Sequence, residues 1–120
     1  MIKGAHVILF SHYPDEDRCF LRDILNFPSV DAGHGWLIFA LPPSEVAIHP
    51  ADSGETRDQL TASLYFMCDD LNAAIADLKK RNVSCSPIHE ERWGTVTNIV
   101  LPSGSQIGLY QPKHPVAVKL

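Results

Sequence analysis

The chain of 120 residues has the length of one ordinary globular domain, and 45% of its residues are hydrophobic while 20% are charged. This balance favours a packed core and argues against intrinsic disorder. The formal net charge of -4 gives no support to a nucleic-acid-binding role, which usually needs a basic surface. No apolar run approaches the roughly 20 residues that span a bilayer, and no signal peptide is evident, so the sequence predicts a cytoplasmic protein without a membrane partner.

Three cysteines, Cys19, Cys68 and Cys85, are odd in number and lack the close spacing of a thiolate zinc site. A disulfide framework is also unexpected in a cytoplasmic chain of this kind. We therefore expect three reduced and partly buried thiols, which is the ordinary state of a free cysteine.

The first half of the chain predicts one helix among short strands. Residues 4–11 hold a β-branched and aromatic run that predicts a strand. Residues 14–25 predict a helix, because Pro14 and the acidic residues after it suit a helix N-terminus, and Asn26 is expected to end it. Three further strands and a polar linker follow, at residues 29–32, 36–41, 45–49 and 51–62.

The second half repeats this order. Residues 64–68 predict a strand, and residues 71–82 predict an amphipathic helix with acidic residues before it and basic residues at its end. Three strands follow, with a loop between the first two, at residues 83–86, 95–101 and 106–111. The tail at residues 113–120 is expected to be loosely ordered.

The two halves also share local details. Each places a Leu-Pro turn between its last two strands, starting at Leu41 and at Leu101, and a tryptophan before its third strand, Trp36 and Trp93. The alternative is a chance likeness between two unrelated α+β hairpins. The repeat favours two structurally similar modules in one α+β chain.

Short motifs in a fixed order resemble the vicinal-oxygen-chelate superfamily of glyoxalases, bleomycin-resistance proteins and extradiol dioxygenases. They are residues 5–9 (AHVIL), 20–27 (FLRDILNF), 66–74 (FMCDDLNAA), 93–94 (WG) and 101–112 (LPSGSQIGLYQP). The resemblance implies one domain, residues 1–120, in which two tandem βαβββ modules form a cupped mixed β-sheet. The modules would span about residues 4–50 and 63–112.

The resemblance also implies positions for a metal site. Catalytic members hold a divalent metal in the cup with histidine and carboxylate ligands, and the metal acts as a Lewis acid. His6 falls at the first histidine position, Ser63 at the second, and Gly108 at the final glutamate position. A serine hydroxyl is a poor ligand beside imidazole, and glycine has no side chain, so two ligands are expected to be missing. The alternative for His6 is a structural histidine bonded to a backbone carbonyl.

His49 is a candidate replacement ligand near the end of the first module. Its register is open, because a slip of one residue turns a strand side chain from the cup to the surface. His6 and His49 would supply two ligands, and Glu45 a conceivable carboxylate, whereas catalytic metal sites usually have three protein ligands. We therefore expect no cofactor, with an iron, zinc, nickel or manganese ion as the alternative.

What remains of the site favours binding of a small organic molecule. Aromatic walls with a few polar anchors suit a flat or cationic compound, although each aromatic residue could instead belong to the core. The candidate ligand-binding residues are His6, Trp36, Phe39, His49, Ser63, Tyr65, Trp93, Asn98 and Tyr110, with Thr97 as a further polar candidate.

The leading functional expectation is a metal-independent, homodimeric small-molecule-binding protein of the bleomycin-resistance type. One alternative is a metal-dependent lyase or extradiol-type dioxygenase that uses His6 and His49. The other is a non-catalytic scaffold module whose cup is filled by aromatic side chains.

Overall fold

The computed structural model describes residues 7, 9–45, 47–48, 62–116 and 118. Within them lie two helices and six strands, and three strands follow each helix, as in an α+β protein. In chain order the elements are α1 (Pro14–Asp23), β1 (Ser29–Asp31), β2 (Leu37–Phe39), β3 (Tyr65–Met67), α2 (Leu71–Lys80), β4 (His89–Glu91), β5 (Gly94–Val100) and β6 (Gln106–Pro112).

Helix α1 begins as the sequence predicts and ends two residues earlier. Pro14 occupies its first turn together with three acidic residues, where free N–H groups favour negative charge. Asn26 takes a left-handed conformation with φ 59°, and the N–H of Phe27 donates to the carbonyl of Leu21 at 3.0 Å. This turn stops the helix where the sequence places its C-terminal signal.

Helix α2 is bounded by two local signals. The Asp70 side chain caps its N-terminus by accepting from the N–H of Ala73 at 3.1 Å. At its C-terminus Asn82 has φ 62°, its N–H donates to Lys79, and the N–H of Val83 donates to Leu78. This pair of bonds is a Schellman motif, which satisfies carbonyls that a helix end leaves unpaired.

The second half of the chain forms a four-stranded mixed sheet in the order β3-β6-β5-β4. Strands β3 and β6 run parallel, and the other neighbouring pairs are antiparallel. Gly108 is the register partner of Tyr65 on one side and of Asn98 on the other. Because side chains alternate along a strand, these three positions lie in one row on one face of the sheet.

Two predictions before β5 are wrong: residues 83–86 do not form a strand, and the predicted loop after them contains one, β4. The first segment pairs with β5 only at an isolated bridge, Cys85 to Ile99, whereas β4 lies in the predicted loop and pairs His89 with Val96. The register shifts by one residue between these two pairs, which is a β-bulge. Pro87 lies within it and has no N–H to continue the ladder.

One hydrophobic core joins both helices to one face of this sheet. Phe20 of α1 is buried against residues from α2, β5 and β6. Two polar contacts reinforce this packing, since Asp17 accepts from the N–H of Ser103 at 3.1 Å and Arg81 donates to the carbonyl of Ile24 at 2.8 Å. The buried core residues are Phe20, Leu71, Leu78, Val83, Ile99, Leu101, Ile107 and Leu109.

The first half contains fewer regular strands than predicted. Strands β1 and β2 pair antiparallel, with Val30 opposite Ile38. The described residues of the predicted strands at 4–11 and 45–49 have no strand structure, and the remaining residues of both segments lie outside the described part of the chain. The apolar residues that predicted these strands were expected to be buried. Phe10 and Ile48 are instead each 91% exposed in one copy of the chain.

Candidate functional site

Three aromatic rings meet on the sheet face opposite the core. Tyr65 comes from β3, Trp93 from the turn between β4 and β5, and Tyr110 from β6. Their centroids are 5.6 Å apart for Tyr65 and Trp93, 6.0 Å for Tyr65 and Tyr110, and 5.2 Å for Trp93 and Tyr110. All three pairs are edge-to-face, the arrangement that places a positive ring edge against a negative ring face. We call these three residues the aromatic cluster.

Two glycines make room for the cluster. A Cβ atom at Gly108 would overlap Cδ1 and Cε1 of the Tyr65 ring and would lie 2.7 Å from its Cγ. A Cβ atom at Gly94 would lie 2.8 Å from Cδ2 of Tyr110. Each ring therefore lies directly over a glycine on a neighbouring strand, and any larger residue there would displace it.

A polar group lies at the Tyr110 end of the cluster. The His114 ring stacks on the Tyr110 ring at 5.8 Å, and its Nε2 is 2.9 Å from the Tyr110 hydroxyl. Nδ1 of His114 lies 2.7 Å from the carbonyl oxygen of Pro115, which can only accept. In the neutral ring Nδ1 therefore carries the proton, and Nε2 accepts from the Tyr110 hydroxyl. A carboxylate oxygen of Glu45 lies 3.9 Å from the same Nε2.

The surroundings of Tyr110 keep its hydroxyl protonated. Burial raises the pKa of Tyr110 above its ordinary value, and the negative charge of Glu45 raises it further. The Tyr110 hydroxyl is thus a neutral hydrogen-bond donor at neutral pH.

The cysteines are free, as expected, but differ in exposure. Burial raises the pKa of the Cys68 and Cys85 thiols, and the nearby Asp69 and Asp70 raise that of Cys68 further. Both thiols are therefore poor nucleophiles. Cys19 is exposed, whereas the sequence led us to expect partial burial.

Three of the five predicted aromatic residues come together in the cluster. Trp36 lies elsewhere, with the guanidinium of Arg18 on α1 4.6 Å from its ring centroid, and Phe39 ends β2 in the separate two-stranded sheet. Asn98 lies beside Gly108 in the same row as Tyr65. Ser63, another candidate ligand-binding residue that the structure describes, is exposed and lies just before β3.

The polar candidate Thr97 does not contribute to the cluster. Thr97 is fully buried, and its hydroxyl donates to the carbonyl of Ser86 at 2.6 Å, so it serves the fold. His6 and His49 lie outside the described residues.

Sequence reasoning missed His114, because the tail was expected to be loosely ordered. Its first residues are instead held to the sheet: the N–H of Lys113 donates to the carbonyl of Trp93 at 2.9 Å, and its Nζ pairs with Glu90 at 2.6 Å. The available signal was a histidine between Pro112 and Pro115, directly after a strand that carries an aromatic residue.

The described residues do not fit a divalent metal centre at the positions that the sequence resemblance implied. Ser63 offers an exposed hydroxyl, and the Tyr65 ring occupies the space next to Gly108 where a carboxylate would extend. Among the residues that the structure describes, no three His, Cys, Asp or Glu side chains are grouped to hold a metal ion.

Comparison with known proteins identifies the fold. No protein-family model and no curated protein sequence matches the chain. Solved structures do match, including TnmS3, an antibiotic binding protein from Streptomyces sp. CB03234, at 22% identity and a TM-score of 0.58, over 94% of this chain and 100% of that one. Lactoylglutathione lyase from Agrobacterium tumefaciens matches at 17% identity and a TM-score of 0.60, over 91% and 92% of the two chains.

A third similar structure is a virulence protein from Salmonella typhimurium, at 18% identity and a TM-score of 0.51, over 93% of this chain and 98% of that one. At these identities the likeness establishes the fold, while the chemistry of each protein depends on its own site. The chain has the glyoxalase/bleomycin-resistance fold, and the fold class predicted from the sequence motifs is confirmed.

Proposed function

We propose that this protein binds a small organic molecule at the aromatic cluster without a metal ion. The observation that carries the proposal is the Tyr65 ring, which lies over Gly108 where catalytic relatives are expected to place a metal-binding carboxylate. A carboxylate at this position would have to displace the ring. Tyr65 is 42% exposed and Trp93 is half-buried, so both present aromatic surface that a flat molecule can cover.

Polar groups around the cluster favour a neutral or cationic ligand. The neutral Tyr110 hydroxyl is a donor, and the Glu45 carboxylate lies near the same end of the cluster. Aromatic faces and a carboxylate both attract positive charge. The fold similarity to an antibiotic binding protein supports a binding role by analogy alone.

A non-catalytic scaffold is the second candidate, and one observation favours it. The three rings are in mutual contact, so they could simply fill the sheet face as core residues do. Two surface depressions lie beside α1 and Pro102, away from the cluster. The scaffold alternative predicts that no compound changes the environment of Trp93.

The metal-dependent lyase or dioxygenase alternative needs further ligands. His6 and His49, which lie outside the described residues, would supply two, and the third would have to come from somewhere other than Gly108. This alternative predicts a bound metal that is lost when either histidine is replaced by alanine.

We further propose that the protein is a homodimer in the cytoplasm. Apolar side chains of the first half are exposed in one copy of the chain, including the paired Val30 and Ile38 of the β1–β2 sheet and Trp36 at 63%. Contiguous exposed apolar surface commonly marks a protein interface. Sedimentation equilibrium should give twice the chain mass, and a monomer at micromolar concentration would refute the dimer. Among the described residues, no helix has the length and apolar character needed to cross a bilayer.

The fluorescence of Trp93 provides the test of the binding proposal. The chain has two tryptophans, and Trp36 lies apart from the cluster, so a Trp36→Phe variant reports on Trp93 alone. We call it the Trp93 reporter. Titration with flat neutral and cationic aromatic compounds should give a saturable change in emission and a rise in melting temperature. The matched Trp93→Phe variant should lose the fluorescence change, and a reporter that responds to no compound would favour the scaffold.

A further inference from the structure

The residues after β6 fold back onto the site. We call residues 113–116 the C-terminal strap. Its backbone is bound to the Trp93 carbonyl through the N–H of Lys113, and the Lys113 side chain pairs with Glu90, which also accepts from Thr95 at 2.9 Å. These contacts place the next residue, His114, against the aromatic cluster.

The His114 ring both stacks on the aromatic cluster and hydrogen-bonds to it. It is nearly parallel to the Tyr110 ring, at an interplanar angle of 29°, whereas the three cluster rings meet each other at 74° to 87°. Its Nε2 accepts the hydrogen bond of the Tyr110 hydroxyl. With His114, Tyr65 and Trp93 all against its ring, Tyr110 is only 7% exposed. A planar nitrogen heterocycle thus already occupies one face of the cluster.

We propose that His114 is a built-in occupant of the cluster, and that the ligand is a planar nitrogen heterocycle that displaces it. The ligand ring would stack on Tyr110, and its unprotonated ring nitrogen would accept from the Tyr110 hydroxyl. The inference extends the proposed binding function, because it names the chemical class of the ligand and a competitor within the chain itself.

The strap is held weakly enough to open. The Lys113–Glu90 ion pair is about half exposed on both sides, so water and salt screen it and it adds little to the stability of the closed strap. A tethered ring nevertheless competes strongly, since a short tether gives an effective concentration in the millimolar range. The apparent Kd of the external ligand equals its intrinsic Kd divided by the fraction of chains in which the strap is open, so it rises as that fraction falls. Removing the ring should therefore tighten binding of the heterocycle on the order of tenfold.

Replacement of His114 by free imidazole is the direct test. In the Trp93 reporter, His114→Ala removes the ring and leaves the strap backbone in place. Added 4-methylimidazole should then produce a saturable change in Trp93 emission, half complete at millimolar concentration. It should also raise the melting temperature. The reporter with His114 intact should show a response at least tenfold weaker, because its own ring occupies the site.

Controls separate this inference from the proposed function. His12→Ala removes an exposed histidine before α1 and should leave the reporter insensitive to 4-methylimidazole. If His114→Ala fails to fold, His114→Gln in the same reporter serves, since the amide cannot reproduce the stacked heterocycle. A variant lacking the ring that gains no response to imidazole would overturn the inference. If aromatic compounds still bound to that variant, the proposed function would survive the result. If the variant bound imidazole and no other aromatic compound, the proposed function alone would fail.

Discussion

Gly108 is the residue on which the interpretation of the site depends. The sequence resemblance predicted that a ligand is missing there, because glycine has no side chain. It could not predict that the Tyr65 ring fills the space, because this contact follows from the parallel register of β3 and β6 across 43 residues of sequence. The structure thus explains the glycine by its packing against the Tyr65 ring.

Replacement of Gly108 by alanine should destabilise the protein. The new Cβ would overlap the Tyr65 ring, and overpacking of this kind typically costs about 1–3 kcal/mol in free energy of unfolding. Urea denaturation of the single variant and of Gly108→Ala combined with Tyr65→Ala measures the coupling. The penalty should largely disappear when Tyr65 is alanine, and an equal penalty in both backgrounds would show that the ring does not occupy this space.

Tyr110 should make the stability of the protein fall at alkaline pH. Its pKa is raised in the folded state by burial and by Glu45, so the unfolded state loses this proton first as the pH increases. The stability that this difference in pKa contributes is complete below about pH 10, the ordinary pKa of tyrosine. It is lost as the pH rises through the higher pKa of Tyr110 in the folded state. Unfolding measured from about pH 9 to 11 should show a steeper loss for the wild type than for Tyr110→Phe. Parallel curves would contradict the assignment.

At the scale of elements, local signals were sufficient to locate the helices and insufficient to locate strand β4. Asp70 and Asn82 bound α2 through contacts within a few residues, so the sequence alone located it. Strand β4 was missed because its pairing depends on a bulge around Pro87 that shifts the register against β5. No short-range pattern marks such a shift.

The cap of α2 provides a prediction for an element. Asp70→Ala removes the side-chain oxygen that accepts from the N–H of Ala73, and loss of an N-cap typically costs about 1 kcal/mol. The adjacent Asp69→Ala removes an exposed carboxylate of the same charge and should cost less than half as much. Thermal denaturation of both variants checks the difference, and equal losses would indicate a general charge effect.

At the scale of the whole molecule, the sequence predicted the fold class but not how the two halves of the chain pack. The side chain of Phe20 lies in one core with residues of β5 and β6, a long-range contact that helix periodicity cannot specify. The sequence did predict that α1 has an apolar face. The single domain of residues 1–120 with its module boundaries remains a prediction, as does the placement of His6 and His49.

Phe20→Ala tests whether the chain unfolds as one unit. Removing a buried phenylalanine from a shared core should cost about 3–5 kcal/mol and shift a single cooperative transition. The matched Phe10→Ala variant removes a ring that is 91% exposed and should have little effect on a single chain. Two separate transitions in calorimetry, with the second unchanged by Phe20→Ala, would show that the halves unfold independently.

Metal independence is the central claim, and one titration tests it most directly. The Trp93 reporter is titrated with a flat heteroaromatic compound before and after exhaustive chelation, with the metal content of each sample measured. We predict the same Kd in both samples and less than one-tenth of a divalent metal ion per chain. Binding that disappears on chelation and returns with iron, zinc, nickel or manganese would contradict the account.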